Sequence, residues 1–224
     1  MNLIHYTLLA DLFGYPDGAY PQKVTDIQKF ISDNYPEASR DMDKFAELLP
    51  AHDLNKMEEL YIRSFDVQSI TTMDIGYVLF GDDYKRGELL SNLNREHVKT
   101  DNDCGSELAD HLPNLLRLVS KLDDQELILE MIEELIVPAL KKMISEFEPD
   151  RLEKKKELYK KHYKTLIESP GDSSLMYLSG LKALDKVIRK DFSIVDKPEK
   201  RQTIDFLQSL DTEIKIEIEN DVKT

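Results

Sequence analysis

Apolar residues recur every three or four positions along most of this chain, which is the spacing of one buried helix face. The pattern predicts a helix over residues 3–13, a second after Pro21, a third that ends before Pro50, and a fourth with Asp53 as its N-cap. Proline and glycine mark the short connections, which is typical of antiparallel helices in a bundle. The inward positions predicted for the fourth helix are Leu54, Met57, Tyr61 and Phe65.

A short apolar run over residues 75–80 is ambiguous, because periodicity alone fits either a buried strand or a buried helix. Its helical neighbours favour the helix. A further helix is predicted over residues 84–97, and the polar segment 100–105 should be a loop.

The widest apolar stripe covers residues 125–147, and Pro138 is expected to kink or split that helix. Pro149 begins a basic helix with seven Lys or Arg between Arg151 and Lys164. Asp172 or Ser173 should cap a further helix. We therefore predict an all-α, single-domain bundle of about eight to ten helices over residues 1–192, followed by a mobile or partner-dependent tail at 193–224.

The charge balance narrows the possible partners. The 224 residues carry a formal net charge of −14, which disfavours a nucleic-acid backbone and favours basic polypeptide segments. The lone Cys104 excludes an intrachain disulfide and an all-cysteine metal site. No secretory signal and no membrane-length apolar run is recognisable, so we expect a cytoplasmic protein that does not insert into membranes.

Residues 107–113, Glu-Leu-Ala-Asp-His-Leu-Pro, are unusually polar for a segment that leads into a buried helix. Asp110 is a good candidate N-cap, and Pro113 fits the first helical turn, where its missing N–H costs little. His111 beside a helix N-terminus should stay neutral. The plain alternative is a helix start with solvated charges.

Catalytic or metal-binding patterns are sparse. No phosphate-binding loop, dinucleotide-binding glycine pattern or nucleophile elbow occurs, and the five histidines are scattered without metal-ligand spacing. Glu107 and Asp110 could form an acid–base pair, and together with His111 they could serve an enzyme such as a nucleotide hydrolase. Residues 81–87 could form a phosphate or metal loop. A capped or solvated turn explains the carboxylate pair and residues 81–87 better than catalysis or metal binding does. We therefore expect neither an enzyme nor a metal site.

The segment 107–113 resembles the E-L-P-D-H-L-P signature of the NarJ chaperones, in the TorD–DmsD–NarJ family. These proteins, of the nitrate reductase delta-subunit type, assemble molybdenum oxidoreductases. Other segments similar to family motifs follow in the family's order over about residues 3–145; they are 12–17, 60–66, 79–80, 86–87 and 136–140.

The resemblance implies a TorD/NarJ-like helical fold without a resident cofactor. It implies binding to the basic or apolar N-terminal peptide of a catalytic subunit, before the molybdenum bis-guanine-dinucleotide cofactor is inserted into that client. Glu107, Asp110 and His111 match the partner-binding motif, and Arg86 is either a structural tie or a partner contact. The residues expected to hold the geometry are Gly87, Leu112, Pro113, Tyr61 and Phe65, the last two chiefly as core lining.

Departures from the family pattern leave the client open. Ala109 replaces the usual proline, and Tyr84 replaces an arginine ahead of Arg86. Nitrate reductase, nitrite oxidoreductase and other enzymes of the dimethyl-sulfoxide-reductase class fit equally. A generic acidic helical adaptor is the alternative, and the sequence does not decide between monomer and dimer.

Overall fold

A computed structural model describes residues 2–162 and 175–195. Within these ranges the chain forms helices and no strands, which confirms the predicted all-α fold. The elements are α1 (His5–Ala10) with a 3₁₀ turn (Asp11–Phe13), α2 (Tyr20–Asn34), α3 (Pro36–Leu48), α4 (Leu54–Phe65), α5 (Ile75–Phe80), α6 (Tyr84–Lys99), α7 (Leu112–Lys121), α8 (Gln125–Glu130), a π-helix (Met131–Ile136), α9 (Val137–Ser145), α10 (Pro149–His162) and α11 (Leu175–Asp191).

The start of α4 follows the predicted capping chemistry. The Asp53 side chain accepts a hydrogen bond of 3.1 Å from the Lys56 backbone N–H, which satisfies one free donor of the first turn. Leu54 was predicted to point inward, and this is wrong. It is 40% exposed, because the first turn of α4 extends past the core.

The core is organised around α11, which packs against α3 and α9, while α1 packs against α7. Aromatic rings fill the space between these layers. Tyr177 of α11 meets Phe65 edge-on, with ring centroids 4.8 Å apart, and Phe45 lies 5.7 Å away. Tyr61 and Phe65 of α4 are both buried there, so their predicted place in the core lining is confirmed.

The helix over residues 125–145 is interrupted near Pro138, as predicted. The interruption is the π-helix that lies between α8 and α9. Pro138 has no N–H to donate to the carbonyl of Glu134, and its ring crowds that carbonyl in a normal helical turn. A wider turn just ahead of the proline relieves this conflict. Counting α8, the π-helix and α9 as one element, the described residues contain ten helices.

The ambiguous run at residues 75–80 is the short helix α5, so the strand alternative is wrong. Ile75 and Val78 are buried, and Lys142 of α9 donates to the Val78 carbonyl at the end of α5. Because α5 is only six residues long, contacts from other elements hold it in place. Residues of α5 contact the polar turn that is described in the next section.

Some predictions fall outside the described residues: the Asp172 or Ser173 cap, the basic helix beyond residue 162, and the tail from residue 196. The division at residue 192 therefore stays a prediction. Among the helices that are described, none has the length and apolar character that crossing a lipid bilayer requires.

Candidate functional site

The polar turn at residues 107–113 leads into α7, which begins at Leu112. Pro113 lies in the first turn, as predicted, and both residues are buried. The residue at the N-cap position is His111, and its side chain makes no capping bond. The predicted capping role of Asp110 is therefore wrong, because its carboxylate is engaged elsewhere.

Asp110 is fully buried and forms the centre of an ion network between α5, α6 and the turn. Its Oδ2 accepts from Arg86 Nε and from the Gly76 backbone N–H, each at 3.1 Å. Arg86 also donates from Nη2 to Asp74 Oδ2 at 2.9 Å. Arg86 is thus the structural tie, one of its two predicted roles. Asp110 presents no surface to a partner, contrary to the contact role that the resemblance implied.

Two backbone hydrogen bonds join the turn to the segment ahead of α5. The Ile75 N–H donates to the Asp110 carbonyl, and the Leu112 N–H donates to the Met73 carbonyl, both at 2.9 Å. They form an isolated antiparallel bridge between Asp74 and His111. The position of His111 therefore depends on residues that lie more than 30 positions earlier.

Gly76 is the glycine that this packing requires. A Cβ there would lie 2.6 Å from Asp110 Oδ2 and 3.1 Å from Arg86 Cγ. Gly87, which the resemblance singled out, has open space around its Cα, so close packing does not explain its being glycine. Nothing in the local sequence pattern distinguished Gly76, because the clash comes from other elements.

An open cleft of about 420 Å³ lies beside the turn, within the range of about 300–1,000 Å³ typical of ligand sites. Segments far apart in the sequence form its walls. Its lining residues are Gly14, Tyr15, Tyr61, Cys104, Gly105, Ser106, Glu107, His111, Pro113, Asn114 and Arg117. Of the predicted site residues, the cleft collects Glu107, His111, Tyr61 and Pro113.

His111 and Asn114 are the buried polar side chains of the cleft lining, with 7% and 2% of each residue exposed. The buried Nδ1 of His111 has no hydrogen-bond partner among the described residues. Burial lowers its pKa; the carboxylates of Glu107 and Asp110 oppose that shift, while Arg117 adds to it. The ring is therefore neutral, as predicted, but burial is the main cause.

Tyr61 and Tyr15 form the aromatic side of the cleft, with ring centroids 5.3 Å apart in an edge-to-face arrangement. Burial raises the pKa of Tyr61, and the nearby negative charges of Glu107, Asp66 and Asp74 raise it further. This end of the cleft is therefore both aromatic and electronegative, a combination that suits a cation.

A buried polar network supports the loop that carries Cys104 and Glu107. His97 Nε2 lies 2.9 Å from the Ala109 carbonyl, and Asn102 Nδ2 lies 2.9 Å from His97 Nδ1. The Asn114 amide donates to the Leu108 carbonyl at 3.0 Å. Sequence reasoning missed these supports, since single polar residues in a helix or loop carry no periodic signal.

The chemistry of these groups suits binding. Asp110 is committed to Arg86 and Gly76, and burial together with Asp103 raises the pKa of the Cys104 thiol. Within the described ranges, His, Cys, Asp and Glu side chains form no group of three that could hold a metal ion. Neither a scan against known protein families nor a search of curated proteins finds a match to this chain.

Proposed function

We propose that this protein is an assembly chaperone of the NarJ kind. It binds the N-terminal peptide of the catalytic subunit of a molybdenum oxidoreductase, such as a nitrate reductase or a nitrite oxidoreductase. It assists insertion of the molybdenum cofactor into that client and assembly of the complex, in the cytoplasm and without catalysing a reaction itself.

One observation carries the proposal: three separate segments that resemble the family motifs line the same cleft. Residues 12–17 contribute Tyr15, residues 60–66 contribute Tyr61, and residues 107–113 contribute Glu107 and His111. The other three segments, 79–80, 86–87 and 136–140, do not line the cleft, but Arg86 binds Asp110 of the turn. Motifs that share one site are easier to explain by a common ligand than by packing alone.

The cleft also has the chemistry that a basic, partly apolar peptide needs. Glu107 is exposed and can pair with an Arg or Lys side chain, and charge-assisted bonds of this kind are strong. Tyr15 in the cleft lining and Leu108, the residue that follows Glu107, are 54% and 48% exposed and can cover an apolar stem. The overall charge of −14 attracts a basic segment over longer distances.

Isothermal titration calorimetry tests the proposal with synthetic N-terminal peptides of the molybdoenzyme catalytic subunits encoded in the same genome. Glu107→Gln and His111→Ala should each weaken binding at least about tenfold, because a hydrogen bond to a charged group contributes roughly 1.5–3 kcal/mol. Glu47→Gln is the matched control, since Glu47 is exposed on α3 and does not line the cleft.

Asp110→Ala is a poor probe of contact, because losing a buried ion partner destabilises the turn itself. Equal affinity of the wild type and Glu107→Gln for every peptide would refute the proposed role of the cleft. Binding that shows no preference for molybdoenzyme peptides over unrelated basic peptides would instead favour a generic adaptor.

A further inference from the structure

Arg117 of α7 lies one helical turn beyond Pro113 and lines the same cleft as Glu107. Its side chain is 30% exposed, and Nη2 donates to Asp11 Oδ1 at 3.1 Å. Asp11 is not among the residues that line the cleft. The positive member of this ion pair therefore faces the cleft, and the negative member lies outside it.

The guanidinium of Arg117 has N–H donors available for a ligand. It carries five N–H donors in a planar fork, and within the described part of the chain its side-chain bond is the one to Asp11. A fork of this shape matches a carboxylate, which can accept two parallel hydrogen bonds. An occupant of the cleft that presents a carboxylate can therefore bind Arg117 without displacing Asp11.

Glu107 and Arg117 give the cleft two opposite charges, and both act on the ring of His111. The negative charge of Glu107 raises the pKa of His111, while the positive charge of Arg117 lowers it. By contrast, the negative charges of Glu107, Asp66 and Asp74 all raise the pKa of Tyr61. The end of the cleft beside Tyr61 is thus electronegative, whereas α7 places the positive charge of Arg117 in the cleft wall.

We propose that Arg117 is a specificity-determining residue of the cleft. It binds the carboxylate of an acidic side chain in the same docked segment whose basic residue pairs with Glu107. This inference rests on the proposed function and adds a requirement to it: the peptide must carry opposite charges in a defined order. His111 lines the same cleft between these two charges.

Fluorescence anisotropy with designed peptides tests this requirement. The probes are labelled synthetic peptides of one length, with blocked ends, a single Arg, and a single Glu placed before or after it at varied separation. Matched peptides carry Gln in place of Glu. We expect the wild type to prefer one order and to bind that peptide about tenfold more tightly than its Gln counterpart, since a charge-assisted bidentate pair is lost.

Two variants separate specificity from a structural role of the Arg117–Asp11 pair. Arg117→Gln should abolish the preference for Glu over Gln while it keeps binding to the Arg of the peptide. Asp11→Asn removes the negative charge that partly neutralises Arg117, so it should strengthen binding of the Glu peptide. If the pair only fastened the 3₁₀ turn after α1 to α7, both variants would change affinity in the same direction, and the inference would be overturned.

The outcomes also distinguish this inference from the proposed function. Peptides that bind in a Glu107-dependent way but show no difference between Glu and Gln would overturn the role of Arg117 alone. If no Arg-containing peptide binds, including the molybdoenzyme peptides above, the proposed function and the role of Arg117 both fail.

Discussion

At the scale of single residues, Asp110 and Glu107 show how burial decides what a carboxylate can do. Glu107 is exposed at the cleft and free to meet a partner, whereas Asp110, three positions later, is fully buried. Removing a carboxylate from water is costly unless donors bind it, and Arg86 together with the Gly76 N–H offsets that cost at Oδ2. Two acidic residues of one motif thus differ in environment: Asp110 supports the turn from within, while Glu107 is accessible at the cleft.

Gly76 and Gly87 offer a matched prediction at this scale. Gly76→Ala should destabilise the protein by about 1–3 kcal/mol, because its Cβ would overlap Asp110 Oδ2 at 2.6 Å. Gly87→Ala should stabilise it by about 0.5–1 kcal/mol, since alanine lowers the entropy cost of the helix and meets open space. Urea denaturation monitored by circular dichroism measures both changes. Equal effects of the two substitutions would contradict the packing described for Gly76.

At the scale of elements, the loop between α6 and α7 depends on the protonation state of His97. A carbonyl can only accept, so Nε2 must carry the proton that bonds to the Ala109 oxygen, and Nδ1 accepts from Asn102. Protonation of His97 Nδ1 would place its N–H against the amide N–H of Asn102, and the hydrogen bond between them would be lost. Because the loop carries Glu107, the neutral imidazole helps to hold one wall of the cleft.

This arrangement predicts a pH dependence of stability. Burial lowers the pKa of His97 below its ordinary value of 6.5, so the unfolded chain takes up the proton more readily than the folded chain. The contribution to stability is complete above pH 6.5 and is lost as the pH falls below it. His97→Gln keeps one donor and one acceptor without titrating, so it should flatten the dependence of the unfolding free energy on pH in this range.

Chemical denaturation at a series of pH values, with hydrogen exchange of residues 100–109, measures the effect. His52→Gln serves as the control for the substitution, because His52 is exposed and lies outside this loop. An unchanged slope in His97→Gln would show that the network does not couple protonation to folding.

At the scale of the whole molecule, Asp191 joins the first and last helices that the structure describes. At the end of α11, it accepts from His5 Nε2 and Tyr35 OH at 2.8 Å each, and from Tyr6 OH at 3.0 Å. The three donors come from α1 and from the junction of α2 with α3. One carboxylate thus ties together elements separated by more than 150 positions.

Acid should release this junction. Burial alone would raise the pKa of Asp191, but the hydrogen bonds from His5, Tyr35 and Tyr6 outweigh it and lower the pKa below the ordinary 3.8. The stabilisation is therefore present above pH 3.8 and is lost as the pH falls through the lowered value. Asp191→Asn should cost roughly 1–3 kcal/mol at neutral pH and reduce the loss of stability in acid.

Guanidinium denaturation at neutral and acid pH measures this difference, with Asp43→Asn as the control. Asp43 accepts a hydrogen bond from Gln28 on the exposed surface, where such contacts contribute little. If both substitutions proved equally mild at neutral pH, the junction would not have the stabilising role described here.

Local chemistry was sufficient to predict the helices and several of their boundaries. The Asp53 cap, the split near Pro138, Pro113 in the first turn of α7 and the burial of Tyr61 all follow from spacing, capping preference and the missing N–H of proline. These properties depend on neighbours within one or two helical turns, so a single sequence contains them.

Only the tertiary structure decided which polar residues meet. The pairing of Asp110 with Arg86 and Gly76, and the place of Arg117 in the cleft, join segments separated by tens of positions. Hydrophobic periodicity cannot predict such contacts, because each contact depends on how whole helices pack against one another. The sequence by itself therefore determined an acidic helical body with one unusual turn, while packing determined that Asp110 supports this turn from within and that Glu107 and His111 line the cleft.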